Sequence, residues 1–277
     1  PPLWVWVLIL AYVVLFSALS VHKHNTLNSF TFDLGIMSQV TWNTAHGRLF
    51  ETSLDRAQYD KLVGSYLGNH VRPVLLLLAP LYRVWPNPRL LLILQSVALG
   101  LGAIPLFWVA REDLENPRSR VGVIVAYVLY PALGFINLFD FHPVAFCVPA
   151  LLLAYWALRE ERSTLFWSMI LLSLSTKEEL VVPIAALGIY CVFHRRWRRK
   201  GFWLLGIAAT WALVCFSLMI PYYNEGRPYR FMRLWQHLLP IRGDSSANGA
   251  PWTVSQLFSP HVFYFLIHLF LPLGFLP

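Results

Sequence analysis

Long apolar runs separated by short polar stretches limit the possible folds of this chain more than any other feature. A helix needs about 20 apolar residues to cross a bilayer. Of the 277 residues, 57% are hydrophobic and 13% are charged, about half the charged fraction of a soluble domain. We therefore predict an all-α, polytopic membrane protein. The runs that reach or approach the length of a span are Leu3–Ser20, Leu90–Ala110, Val121–Leu138, Val144–Leu158, Phe202–Ile220 and one from His261 onward.

Three shorter apolar runs determine the predicted topology. We expect Val74–Val84 to lie on the membrane surface, and Leu165–Ser175 to form a hairpin of short spans with Leu180–His194. With the N-terminus inside, this arrangement puts the most basic short loops in the cytoplasm, as the positive-inside rule requires. These loops are 111–120, 159–163 and 195–200. The densest basic run joins two apolar segments, so it indicates a cytoplasmic loop and no nucleic-acid partner.

The same topology predicts a long first extracytoplasmic loop, 21–88, with short juxtamembrane helices such as Leu34–Ala45. We expect one transmembrane domain over 1–277 in a cell (inner) membrane. Because the chain starts without Met and stops inside an apolar run, we expect this domain to be incomplete at both ends. Four polar clusters then share the extracytoplasmic face: 32–35, 68–73, 139–143 and 177–179.

Asp33 follows the first predicted span and comes just after Phe30 and Phe32. Ionisable groups at such positions are costly to retain unless they pair, bind a ligand or take part in chemistry. The carboxylate is a candidate general base at the membrane surface. Asp is also a favoured N-cap, so Asp33 could equally begin the helix that starts at Leu34.

The other clusters also allow two interpretations each. Asp140 and His142 place a carboxylate and an imidazole two residues apart, a spacing that suits one metal or one substrate, or they simply end one helix before Pro143 starts the next. Thr176 and Glu179 match a capping box. Lys177 opposes the helix dipole, and a phosphate ligand explains it better.

His70 and Arg72 precede Pro73 in the first loop. A single histidine there is usually a surface residue. Beside an arginine, it is also a candidate for binding phosphate.

These motifs, taken in order, resemble those of the bacterial predicted membrane proteins grouped as domain of unknown function 2079. The resemblance covers about residues 1 to 200. That family is similar to the membrane glycosyltransferases of the C-type (GT-C) fold. Those enzymes have a long first outer loop, an acidic residue soon after the first span, and polyprenyl-phosphate sugars as donors. The matching segments are Phe32–Ile36, Thr41–Gly47, Leu67–His70, Phe139–Pro143 and Lys177–Glu179.

The resemblance implies sugar transfer from a polyprenyl-phosphate donor to an unknown acceptor. Asp33 is then the catalytic base, while His70, Arg72 and Lys177 bind the lipid phosphate. A divalent cation, Mg²⁺ or Mn²⁺, is an optional cofactor, with ligands Asp140, His142 and Glu178.

Two other functions stay open from the sequence. One is a non-catalytic scaffold or lipid-binding subunit of a larger membrane complex, with other protein subunits as partners. The other is a transporter, which the nearly charge-free runs Val121–Leu138 and Val144–Leu158 disfavour.

Overall fold

The computed structural model describes residues 1–29, 31–53 and 64–225, which lie in a compact unit that extends over Pro1–Arg227. Helices dominate these residues, as predicted. The helices are α1 (Leu3–Asn25), α2 (Ile36–Ala45), α3 (Leu75–Val84), α4 (Pro88–Leu101), α5 (Ala103–Asp113), α6 (Pro117–Val128), α7 (Pro131–Leu138), α8 (Cys147–Arg159), α9 (Ser163–Thr176), α10 (Val181–Phe193), α11 (Arg198–Leu213) and α12 (Ile220–Tyr223). One two-stranded antiparallel sheet pairs β1 (Glu51–Thr52) with β2 (Gly64–Ser65).

Four helical stretches in the described part of the chain are long and apolar enough to cross a membrane. They confirm a multi-pass α-helical membrane protein. The predicted span from His261 onward lies outside the described residues. The four are Leu3–Asn25, Pro88–Asp113, Pro117–Leu138 and Arg198–Tyr223, and the shorter apolar helices include Leu75–Val84, Pro143–Arg159 and Ser163–Thr176.

The first loop folds into short elements, as expected. A π-helical turn, Thr31–Gly35, leads directly into α2. Asp33 therefore lies inside a helical stretch, and its predicted N-cap role is wrong. The ten-residue α3 measures about 15 Å, half the thickness of the hydrocarbon core, so it is too short to cross. It packs on α2 through the buried side chains of Leu75, Leu78 and Tyr82.

Close helix packing holds the bundle together. The helices α8 and α9 pack on each other, as do α10 and α11. The predicted hairpin of α9 with α10 is therefore only partly right, because each packs mainly on another neighbour. At Gly201 a Cβ atom would lie 2.6 Å from the backbone nitrogen of Val192, so only glycine permits the tight α10–α11 contact.

Polar contacts connect the loops at each end of the bundle. At one end, Lys23 contacts Asp140, His70 contacts Glu178, and the Val74 N–H donates to the Ser175 carbonyl. We call this the site end. At the other, Arg159 pairs with Asp113 and Arg196 with Glu161. We call this the basic end, because it carries the loops 111–120, 159–163 and 195–200.

Candidate functional site

Asp33 and His142 face each other at the site end. The carboxylate Oδ1 of Asp33 lies 3.6 Å from Nε2 of His142, too far for a direct hydrogen bond. About a third of the Asp33 side chain is exposed, and within the described residues its carboxylate makes no hydrogen bond. Asp33 is therefore accessible to a hydroxyl group of a substrate. Its π-helical turn is a local irregularity often found at functional sites.

Arg72 lies near enough to His142 to act on it electrostatically, and it is 6% exposed. Its Nη1 lies 3.4 Å from the sulfur of Met37, and its Cζ lies 5.6 Å from the centre of the Tyr66 ring. Met37 follows Asp33 by four residues, so both lie on the same face of the helix. Among the described residues, Arg72 has no carboxylate partner, and its Nε makes no hydrogen bond. A buried cation with unused donors favours an anionic ligand.

The position of His142 determines its protonation. Burial lowers its pKa below the usual 6.5, and the positive charge of Arg72 lowers it further. The carboxylates of Asp33 and Asp140 and the Asp140 backbone oppose this shift. The imidazole is therefore mainly neutral at pH 7 and can accept a proton.

Asp140 has a structural environment. Its side chain is 2% exposed, and Oδ1 lies 3.1 Å from Nζ of Lys23. Lys23 also donates to the carbonyl of Leu138, at 2.8 Å. The helix α7 ends just before Asp140, which has a φ of 75°, and Pro143 then starts a short 3₁₀ helix. The interpretation of this turn as the junction of two helices is confirmed.

Glu178 connects the turn after α9 to the first loop. It is fully buried, and its two oxygens accept hydrogen bonds from His70 Nδ1 at 2.7 Å and from the backbone N–H of Val71 at 3.0 Å. The capping box is wrong, because Thr176 ends α9 and its hydroxyl donates to the carbonyl of Ser173. Glu179 instead pairs with Lys177, at 2.7 Å.

The predicted metal ligands do not form one cluster. His142 contacts Asp33, Asp140 contacts Lys23, and Glu178 contacts His70. Within residues 1–29, 31–53 and 64–225, no three His, Cys, Asp or Glu side chains are arranged to hold a metal ion. The predicted ligand set of Asp140, His142 and Glu178 therefore does not fit Mg²⁺ or Mn²⁺, and Mg²⁺ or Mn²⁺ as a cofactor stays a prediction.

The sequence analysis missed Gln95, which is fully buried. Its side-chain amide bonds the backbone of the turn that carries His142. Nearby, Tyr12 accepts a hydrogen bond from Asn137, and Ser96 donates one to the side chain of Asn137. Polar side chains inside two otherwise apolar runs were the available signal, since such residues are costly in a membrane unless satisfied.

A cavity of about 680 Å³ opens beside α2. Ser38, Gln39 and Trp42 line it, together with Leu34 and Gly35 from the turn that carries Asp33. Asp33 itself does not line the cavity.

Comparison with known proteins gives one family. The model of the predicted membrane protein family DUF2079 matches residues 23–277. The match continues beyond residue 200, where the sequence resemblance was expected to end. No curated protein and no solved structure matches the chain. Because the family model spans most of its length, the chain belongs to the DUF2079 family of predicted membrane proteins.

Proposed function

We propose that this protein transfers a sugar from a polyprenyl-phosphate donor to an acceptor hydroxyl at the extracytoplasmic face of an inner membrane. One observation carries the proposal. An accessible carboxylate, Asp33, lies on the same helix face as Met37, which touches the buried guanidinium of Arg72. Asp33 and Arg72 also both act electrostatically on His142, which supports a general base and an anion site close together, as transfer from a sugar phosphate requires.

The proposed reaction uses these two groups differently. The acceptor oxygen attacks the anomeric carbon while Asp33 accepts the proton of the acceptor hydroxyl. The bond between the anomeric carbon and the phosphate oxygen breaks, and its electron pair stays on the polyprenyl phosphate. Arg72 stabilises that negative charge through its unused Nε donor. His142, neutral and 3.6 Å from Asp33, is placed to share the proton.

The other predicted phosphate ligands lie on connected segments. His70 is two residues before Arg72, and its Nδ1 is fixed by Glu178. Lys177 directly precedes Glu178 in the same turn. In this proposal both side chains contribute positive charge or hydrogen-bond donors to the lipid phosphate, so the phosphate needs no metal to be bound.

The test is sugar transfer by the purified protein in nanodiscs, measured with radiolabelled polyprenyl-phosphate sugars. We expect Asp33→Asn to lower kcat by about 10²–10⁴-fold, the usual contribution of a general base. Asp113→Asn, at the basic end, is the matched control and should retain full activity. Transfer at the wild-type rate by Asp33→Asn or Asp33→Ala would exclude Asp33 as the base.

A lipid-binding subunit without catalysis is the second candidate, because the Arg72 site alone is sufficient to bind a lipid phosphate. This function predicts that polyprenyl phosphate binds to the wild-type protein and to Asp33→Asn equally, with no transfer by either. Binding is measured by native mass spectrometry. Arg72→Met should abolish binding under both hypotheses.

A further inference from the structure

Gln95 lies on α4, in the middle of an apolar run, and is fully buried. Its Nε2 donates to three backbone carbonyls at 2.8–3.2 Å, with the shortest bond to Asp140. Its Oε1 accepts from the backbone N–H of His142, at 2.7 Å. One side chain thus satisfies both the carbonyl of Asp140 and the N–H of His142.

These bonds satisfy backbone N–H and carbonyl groups that would bond each other in a regular helix. Between the end of α7 and Pro143 the backbone is not helical, and Asp140 has a positive φ. Backbone polar groups near the membrane must still find partners. Without Gln95, the His142 N–H loses the acceptor shown here and the Asp140 carbonyl loses one of its donors, so the turn can take other conformations.

The side chain of His142 depends on this backbone position. Its Nε2 meets Asp33 across a gap of 3.6 Å. Asp33 belongs to the helical turn before α2. The segment that faces it is held by Gln95 together with Lys23, and Gln95 bonds the backbone N–H of His142 itself.

We propose that Gln95 is a positioning residue, whose amide fixes the 136–142 turn and thereby sets the His142 imidazole opposite Asp33. The geometric part holds whatever reaction the protein catalyses. The consequence for catalysis rests on the proposed sugar transfer.

Ser96 provides the matched control. It is the next residue on α4, it is also fully buried, and its hydroxyl contacts the side chain of Asn137 at 2.9 Å. Ser96→Ala thus disturbs the same polar region without removing a bond to Asp140 or His142.

The first experiment measures position without activity. Asp33→Cys and His142→Cys are combined in a chain whose native Cys147, Cys191 and Cys215 are replaced by Ala, and dibromobimane cross-links the two thiols. We expect rapid cross-linking in the chain that keeps Gln95 and in the Ser96→Ala control. In Gln95→Met the cross-linking rate should be several-fold lower. Equal rates with Gln95 and with a folded Gln95→Met would overturn the proposal.

A second variant, Gln95→Glu, keeps the proposal testable if Gln95→Met does not fold. Gln95→Glu keeps the acceptor for the His142 N–H but loses the amide donors. Its cross-linking rate should therefore lie between the rate of the chain with native Gln95 and the rate expected for Gln95→Met. Folding is checked by size-exclusion chromatography and thermal unfolding. A wild-type cross-linking rate in folded Gln95→Glu also contradicts the proposal when Gln95→Met does not fold.

The activity experiment uses native Asp33 and His142. Gln95→Met should lower kcat by up to about 10²-fold, the cost of misplacing a catalytic group by about 1 Å, with KM nearly unchanged because Arg72 is not affected. Ser96→Ala should keep both constants. If the wild-type protein transfers no sugar, only the proposed function fails, and the cross-linking result still decides the role of Gln95.

Discussion

The two ends of the helix bundle differ in how deeply their charged side chains are buried. At the site end, Glu178, Asp140 and Arg72 are between 0% and 6% exposed. At the basic end, the side chains of Arg196 and Glu161 are 58% and 60% exposed. Ion pairs at the two ends have similar lengths but differ in the solvent around them.

This difference separates two uses of a charged residue. An exposed pair is screened by water and contributes little to stability. A buried charge must be satisfied by specific partners. Glu178 and Asp140 have such partners, whereas Arg72 has no carboxylate partner among the described residues, which is why we propose it as a binding group.

The largest expected effect is at Glu178. Glu178→Ala leaves His70 Nδ1 and the Val71 N–H without their acceptor, and should cost about 3 kcal/mol of unfolding free energy. Glu179→Ala, the adjacent and more exposed residue, should cost less than about 1 kcal/mol. Unfolding in mixed micelles, followed by tryptophan fluorescence, measures both. Equal losses would remove the distinction between buried and exposed charges at this end.

Substitution of Arg72 should change the free energy of unfolding in the opposite direction from substitution of Glu178. Arg72→Met removes a buried charge and fills a similar volume, so the free energy of unfolding should stay unchanged or rise by about 1 kcal/mol. Polyprenyl-phosphate binding, measured in parallel, should disappear. A stability loss as large as that of Glu178→Ala would mean that Arg72 is structural.

A smaller effect depends on pH. The pKa of His142 is lowered in the folded protein from the 6.5 of the exposed side chain, so the unfolded chain binds the extra proton more readily. The stability from neutral His142 is complete above pH 6.5 and is lost as pH falls from there through the lowered pKa. Thermal unfolding between pH 5 and 7.5 should therefore be less pH-dependent in His142→Gln. An equally steep dependence in that variant would assign the titration to another group.

The smallest effect belongs to the basic end. The Arg196 guanidinium lowers the pKa of Glu161 through a hydrogen bond of 2.7 Å, but both side chains are exposed and salt screens them. Glu161→Gln should unfold like the wild type, most closely at 0.5 M NaCl. A clear loss in high salt would show that this end also depends on specific pairs.

The sequence predicted those features that local pattern determines. Apolar run length located the four stretches that are long enough to cross a membrane, whereas the predicted span Val144–Leu158 is a shorter helix. The polar clusters with Asp33, His70, Asp140 and Glu178 do meet at one end. The sequence could not predict which side chains pair with each other. Glu178 and His70, for example, are 108 residues apart, and no local pattern connects them.

Two errors show what local rules leave out. Thr176 and Glu179 satisfy the capping-box pattern, yet α9 ends at Thr176 and Glu179 pairs with the neighbouring Lys177. Asp33 seemed suited to start a helix, but a π-helical turn begins two residues earlier. Gln95 was overlooked because one amide hardly alters the hydrophobicity of its run.

The bonds between residues 70–74 and 175–178 have a consequence for synthesis of the protein. The acceptors for the N–H groups of Val71 and Val74 are Glu178 and Ser175, which the ribosome adds about a hundred residues later. Domains form from the N-terminus as the chain emerges, but the segment with Arg72 has to wait for these acceptors. A half-made chain therefore lacks both bonds, and the segment that holds the proposed anion site is completed only after the later helices have been made.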